Sequence, residues 1–460
     1  MVVDLADIRH GRWISDTGTS GWPGSPHYKD QHGLWKSGEY VPMVSDWDDI
    51  RRTDVGPWSC SRSKEDSLKG LLASCLLACA MGCSGSVADP PYFDWCAADA
   101  PPDDACYAAK RDPLSTNVTL AREIAIKQME EHPADKVIWN WEESVMMLGI
   151  SELYRVTGDT AFRDYYRDWI DHHIDKGYFM GTSDSCSPAA LAALLYRELG
   201  DAKYLTVVED ALHYLAEVAS RTEEGGISHL GDAPVVTLWV DSLFMFGNVL
   251  MKHGELADDP DAIREFSDQF AIFTDLLQSD TGFYRHAHAW PGQDDDVYWG
   301  RGNGWVAAAG AEYLRVLRDR GETDGVAEAA VGLLMDDVKA AQDPQTGLWW
   351  TVLNRPGETY LETSATALFS YALSRLYRYG HADDTALRVI ADAMDGIRSR
   401  IARDDQDRPV IEGVSGPTGV GSFANYAAVK TIDDVPFGIG VVILALVESS
   451  GLPGPLIVDR

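Results

Sequence analysis

The sequence predicts an all-α fold, an (α/α)6 toroid of six helical hairpins, and three observations predict it. From about residue 115 a 3.6-residue apolar period dominates, and alternating β-branched runs are scarce. The helical segments alternate between one kind that is apolar nearly all round and another with a single apolar stripe, which belong inside and outside a core respectively. Glycine followed by a polar residue recurs at the junctions Gly158-Asp159, Gly200-Asp201, Gly321-Glu322 and Gly380-His381. There the glycine ends one helix and the polar residue caps the next, giving tight antiparallel hairpins.

In chain order, 116–132 opens as an outer helix. The inner segment 142–157 (EESVMMLGISELYRVT) follows, and the charged, amphipathic 160–176 (TAFRDYYRDWIDHHIDK) packs outside it. Inner 187–199 pairs with outer 202–221, 238–254 with 260–278, and 305–320 with 324–341. Inner 362–380 pairs with 383–402, and the strongly apolar 437–449 is the twelfth helix. Neighbouring hairpins bury each other's faces, as repeat architectures require. An open solenoid of the same hairpins is the alternative, and the unequal loops between pairs favour closure.

The remaining chain divides into residues 1–60, rich in Trp, Gly, Asp and Pro with no sustained period, and 61–115, leaving 116–455 for the helical domain. Within 61–83 a basic flank (Arg62, Lys64, Lys69) precedes the short apolar run Leu71 to Ala78 and small residues. That is the pattern of an export signal, and Cys79 or Cys83 ends a lipobox-like run whose lipidation would tether the protein to a membrane. Its internal position suggests either that the true start lies near residue 61 or that 68–81 is a short buried helix. With a signal the protein is periplasmic or lipid-anchored; without one it is cytoplasmic. Cys96 and Cys106 are a disulfide if exported and two free thiols otherwise.

A net charge of −33 excludes nucleic acid as a partner, because phosphate binding needs clustered cations. An anionic ligand would need local arginines to overcome that field. The seven cysteines have no zinc-type spacing with histidine, so no metal is implied. The chain carries 15 Trp and 19 Tyr, mostly core material, but also the faces on which sugar rings stack.

In a ring of hairpins all inner helices run the same way, so their N-terminal ends meet at one rim. Trp139-Asn140-Trp141-Glu142-Glu143 precedes or opens the first, and Asp184 precedes the second. His229 and Trp239-Val240-Asp241 belong to the third. His286, His288 and Trp299-Gly300-Arg301-Gly302-Asn303-Gly304-Trp305 belong to the fourth. Trp349, Trp350 and Glu362 precede the fifth, and Asp433 the sixth. Helix capping accounts for Asp184, Glu362 and Asp433 singly. It does not account for the tryptophans or for three glycines around an Arg and an Asn, a pattern that lets backbone approach a ligand. Asp241 stands within the apolar run 238–246, where desolvation raises a carboxyl and suits it to act as an acid. A structural salt bridge to Arg301 is the competing reading.

Leu238-Trp-Val-Asp241-Ser-Leu-Phe-Met245, Gly282-Phe-Tyr-Arg-His286 and Trp299-Gly-Arg-Gly-Asn-Gly-Trp305, in that order, resemble the unsaturated rhamnogalacturonyl hydrolases of glycoside hydrolase family 105, close to the family 88 unsaturated glucuronyl hydrolases. Glu362 to Leu373 and Gly419-Val-Gly421 are similar to that family as well, and the resemblance covers roughly 116–449. It implies an (α/α)6 barrel, no cofactor, and a lyase-generated oligosaccharide substrate ending in a 4,5-unsaturated uronic acid. It also implies hydration of the double bond, with Asp241 protonating C4 and then helping deprotonate the water added at C5. By motif, Asp184 would position a hydroxyl or water, and His229, His286 or His288, Arg301 and Trp305 would bind substrate. Arg301 would hold the carboxylate and Trp305 would stack on the ring, and Trp299 and Trp141 are further substrate-binding candidates at the same rim. The histidine that members carry near Gly347 to Thr351 is absent. Two other readings compete: a different (α/α)6 hydrolase or lyase using Glu142, Glu143 or Glu362 as a second carboxylate, and a lipid-anchored glycan-binding protein.

Overall fold

The computed structural model describes residues 111–454 apart from 232 and 234, and two short strands, His27–Lys29 and Trp35–Ser37, that pair antiparallel with Tyr28 opposite Lys36. Those strands lie in a separate compact unit. The export-like segment, Cys79, Cys83 and the Cys96–Cys106 pair lie outside the described residues. No helix among the described residues is long and apolar enough to cross a membrane.

All twelve expected helices form. They are α1 (Thr116–Glu131), α2 (Trp141–Thr157), α3 (Thr160–Lys176), α4 (Ala189–Leu199), α5 (Ala202–His213) and α6 (Ser242–Leu256). Then come α7 (Pro260–Leu277), α8 (Gly300–Arg320), α9 (Gly325–Ala340), α10 (Thr363–Arg378), α11 (Thr385–Ser399) and α12 (Pro436–Glu448). The junction chemistry is as expected. Gly158, Gly200 and Gly321 end their helices in left-handed backbone at φ of 68–70°, and the carboxylates of Asp159 and Asp201 accept from the first amides of α3 and α5.

Even-numbered helices form the inner ring. Around it α2 meets α4, α4 meets α6, and so on to α12, which packs back on α2 while also contacting α1. The ring is therefore closed and the solenoid alternative is set aside. Closure depends on two glycines: a Cβ on Gly149 would lie 2.6 Å from the carbonyl oxygen of Gly440, and one on Gly440 would lie 2.2 Å from that of Val145. Because the obstacles are backbone, Gly440→Ala is expected to destabilise the protein by about 1–3 kcal/mol, the usual cost of overpacking. Denaturant titration checks this, and an unchanged midpoint would mean that α2 and α12 do not touch there.

Departures from the expected boundaries have local causes. The 238–254 segment is not one helix, because Leu238–Trp239 pairs as a strand with Ala287–His288, so α6 starts at Ser242 and Asp241 lies just before it. The helix expected over 202–221 passes into a single π turn, Tyr214–Val218. Helix α8 begins five residues early, at Gly300, and takes in the glycine-rich string. This corrects the reading of those glycines as room for a ligand. A Cβ on Gly300, Gly302 or Gly304 would meet the Trp350 carbonyl at 2.8 Å, the Trp299 ring at 2.6 Å or the Leu368 side chain at 2.8 Å. The glycines seat α8 against its neighbours.

The far end of the inner ring is plugged by charge. Lys252 Nζ is 2.7 Å from Glu312, Arg315 bridges Glu312 and Glu255 at 2.9 and 2.8 Å, and Arg375 joins Glu312 to Glu448, the latter at 3.0 Å. These residues occupy the C-terminal halves of α6, α8, α10 and α12, so the opposite rim is left for chemistry.

Candidate active site

At the N-terminal rim the short strand pair sets the geometry. Leu238–Trp239 holds Asp241 at the mouth of α6, and the antiparallel partner strand presents His286, whose carbonyl accepts from Val240 N–H at 3.0 Å. Asp241 is 4% exposed, and its Oδ2 lies 3.3 Å from His286 Nε2. Neither atom has an aligned hydrogen bond in the free protein. Such contacts commonly tighten only when substrate binds.

His229 stacks flat on Trp239, with centroids 4.5 Å apart and 9° between planes. Its Nδ1 is 3.0 Å from Ser242 Oγ, and its Nε2 is 3.8 Å from Asp184 Oδ2. Asp184 is placed by the helical turn Ser183–Cys186, which Thr182 caps by accepting from Ser185 N–H. Burial lowers the pKa of His229 to about 4 and lowers that of His286, so both imidazoles are neutral at neutral pH.

The electrostatics revise one expectation. Burial does raise Asp241, but the adjacent His286, then His229 and the Arg301 guanidinium, outweigh it and hold the carboxyl below its ordinary value. The group held well above its ordinary value is Asp184, through burial and then the charges of Asp241 and Glu142. Two nearby carboxyls pushed in opposite directions are the signature of an acid/base pair. Of the two, Asp184 is the carboxyl that holds its proton to higher pH.

Arg301 and Trp305 are also placed differently from the expectation. Arg301 is fully buried between the Trp299 and Phe437 rings, with its guanidinium 4.7 Å from each centroid. Its two terminal nitrogens donate to the carbonyls of Ser415 and Gly416 at 2.6 and 2.9 Å, and to Thr418 Oγ1 at 3.1 Å. Three of its five N–H donors are thereby spent on the 415–418 segment, and Nε has no partner, so most of the guanidinium is committed to structure. It makes no close salt bridge to Asp241; among the described residues the nearest partner of that carboxylate is His286. Trp305 is 0% exposed and packs on Phe244 and edge-on to Trp141, so its ring supports the rim and has no free face.

Trp141 stacks on Phe437, and Trp299 lies 4.3 Å from His286, centroid to centroid. The structure thus gathers Asp241, Asp184, His229, His286, Arg301, Trp299, Trp305 and Trp141. It leaves out His288, two residues along the strand, whose carbonyl accepts from Thr237 Oγ1 at 2.7 Å. Of the other carboxylates, Glu362 is spent on capping α10, accepting from Ser364 and Ala365 N–H and also from Ser415 N–H. Glu142 and Glu143 are both raised by burial, Glu143 to about 8. Trp139 and Trp349 serve packing: their indole N–H groups donate to the carbonyls of Ser185 and Val338.

One participant had no signal in the sequence. Tyr426, in the short helix Phe423–Ala428, places its hydroxyl 2.9 Å from His286 Nδ1 across 140 residues of chain. Among the described residues no group of three His, Cys, Asp or Glu is placed to hold a metal ion.

A family model described as Glycosyl Hydrolase Family 88 matches residues 118–452, and a penicillin amidase model matches residues 1–52. The unsaturated rhamnogalacturonyl hydrolase YesR of Bacillus subtilis (strain 168) is 27% identical over 274 residues, spanning 57% of this chain and 79% of that protein. A solved structure of a possible member of glycoside hydrolase family 105 from Klebsiella pneumoniae superposes with a TM-score of 0.65 at 25% identity, covering 74% of this chain and 95% of that one. The unsaturated glucuronyl hydrolase of Bacillus sp. GL1 shares the fold, with a TM-score of 0.57 at 17% identity over 72% of this chain and 95% of that one.

Proposed function

The chain belongs to glycosyl hydrolase family 88, and from that premise we propose that it removes a 4,5-unsaturated uronic acid from the non-reducing end of lyase-generated oligosaccharides by hydrating the double bond. The observation that supports this most is the Asp241–Asp184 pair, two carboxyls at one rim, each beside a buried histidine and pushed in opposite directions.

Hydration of a vinyl ether needs one proton delivered to C4 and one removed from the water that adds at C5. Asp241 is the group assigned to the double bond. A uronate carboxylate entering beside the pair adds a like charge and excludes water, and both effects raise Asp241. A proton can then be held at Asp241, the group that faces the double bond, with the raised Asp184 carboxyl as the nearby reserve. Protonation of C4 leaves an oxocarbenium centred on C5. Water adds there and gives its proton back to the Asp241 carboxylate. The C5 hemiketal opens, the released C1 hemiacetal collapses to an aldehyde, and the remaining glycan leaves as the alcohol. A saturated glycosidase would instead need two carboxylates flanking the anomeric bond. Glu362, one of the three candidates for that role, is committed to a helix cap.

The test is to follow absorbance of the conjugated double bond in unsaturated di- and oligosaccharides. Bleaching with release of the next sugar is expected; cleavage of saturated uronides with the double bond left intact would overturn the reading. The pH dependence follows from the pair. Asp184 is raised, so its proton is kept above the ordinary carboxylate range and lost as pH climbs through its raised value. Above that value kcat/KM, which reports the free enzyme, is expected to fall about tenfold per pH unit. Asp241 is lowered, so no loss from that group is expected until well into the acid range. A profile falling through the ordinary carboxylate range instead would place the free-enzyme proton elsewhere.

A further inference from the structure

We infer that Tyr426 is a positioning residue that fixes the tautomer of His286, so that the imidazole presents Nε2–H to the Asp241 carboxylate. The inference rests on the hydration reading only for its consequence; the hydrogen-bond logic stands alone.

Three buried groups form a line. Tyr426 Oη is 2.9 Å from His286 Nδ1, and His286 Nε2 is 3.3 Å from Asp241 Oδ2. Tyr426 and His286 are each 1% exposed and Asp241 4%, so water cannot substitute freely for any partner. The direction of the line is decided by its ends. The Gly421 N–H points its hydrogen at Tyr426 Oη from 3.4 Å, filling an acceptor position on the hydroxyl and leaving the phenolic proton to be donated. Burial pushes that phenol up, so the proton stays on it.

If instead Nδ1 carried the imidazole proton, a bare Nε2 would face a carboxylate oxygen at 3.3 Å, two acceptors with no proton between them. With Tyr426 donating to Nδ1, the proton sits on Nε2, 3.3 Å from the carboxylate oxygen and able to align on it when substrate binds. The Trp299 ring, tilted against His286 and stacked on Tyr426, packs the two rings together. Such an outer partner fixes a ring's tautomer and orientation, and through them the plane of the Asp241 carboxylate.

The first measurement uses 15N-histidine-labelled wild-type protein without substrate, the His286 signals being identified by their loss in His286→Asn. An unprotonated Nδ1 and a protonated Nε2 are expected; the reverse tautomer overturns the proposal. The second compares Tyr426→Phe with wild type on an unsaturated disaccharide. A kcat about fivefold to tenfold lower, the size of one lost hydrogen bond, is expected with KM unchanged. In the His286→Asn background the same substitution should change nothing further. Equal losses in both backgrounds would mean that Tyr426 does not act through His286. If the Nε2–H tautomer is found but wild type bleaches no unsaturated uronide, the functional reading fails and the positioning role stands.

Discussion

Asp241→Asn lowers turnover of an unsaturated disaccharide by on the order of 10²–10⁴-fold, the range that a positioned general acid or base contributes. The substitution is nearly isosteric and keeps an oxygen within reach of His286, so the fold and KM are expected to change little. What disappears is the capacity to give a proton to C4 and take one from water. An amide can still accept a hydrogen bond from Nε2–H, so loss of orientation does not explain the effect. Asp184→Asn separates the two carboxyls. It puts a neutral side chain where the raised carboxyl stood, one that cannot pass a proton on. If Asp184 only orients a hydroxyl or water, Asp184→Asn retains the alkaline fall in kcat/KM. If Asp184 is the resting place of the proton, that limb is lost together with most of the activity. Undiminished bleaching by Asp241→Asn would move the acid elsewhere, and Glu142 would be next to test, since it adjoins Asp184 and is itself raised by burial.

Much of this site was legible because helical periodicity and caps are local properties. The twelve helices, their alternation and the common direction of the inner six follow from apolar spacing and Gly-Asp junctions. That placed Asp184, His229, Asp241 and His286 at one rim before any coordinates. What could not be read depended on contacts between distant segments. Leu238–Trp239 has the composition of a helix start, and only pairing with Ala287–His288 makes it a strand. Arg301 reads as a free cation near an anionic substrate until Ser415 and Gly416, more than 110 residues on, supply the carbonyls that occupy it. The glycines of 300–304 suggested space, whereas their neighbours turn out to be Trp299, Trp350 and Leu368. The pKa order of the two aspartates likewise depends on who sits beside each. An apolar run predicts desolvation, but not the imidazole at 3.3 Å that opposes it.

The opposite end of the ring yields the largest expected effect on stability. Glu312 is 3% exposed and faces Lys252, Arg315 and Arg375 from three inner helices. Burial alone would raise its carboxyl, but the fields of Arg315, Arg375 and Lys252 hold it well below the ordinary glutamate value. Removing one member of a buried ionic cluster leaves the others uncompensated in low dielectric, at a cost of about 3–5 kcal/mol. Glu312→Ala is therefore expected to lower the unfolding free energy by that amount, read by denaturant titration. The sign of the pH dependence follows from the same field. A carboxyl depressed in the folded state contributes fully above its unfolded pKa of about 4.3 and loses that contribution as pH falls toward the folded value. Wild type should thus weaken in acid below about pH 4 more steeply than Glu312→Ala, so the gap between them narrows as pH drops. A replacement that fills the volume without charge on either side, Glu312→Leu with Lys252→Met, restores part of the loss if the cost lies in unpaired charge, because well-packed apolar groups can replace buried ion pairs. Arg315 and Arg375 keep Glu255 and Glu448 as partners in that double variant. Equal destabilisation of the single and double variants would place the cost in packing. The cluster joins the inner helices at the end remote from Asp241, so these variants are expected to retain kcat wherever they remain folded.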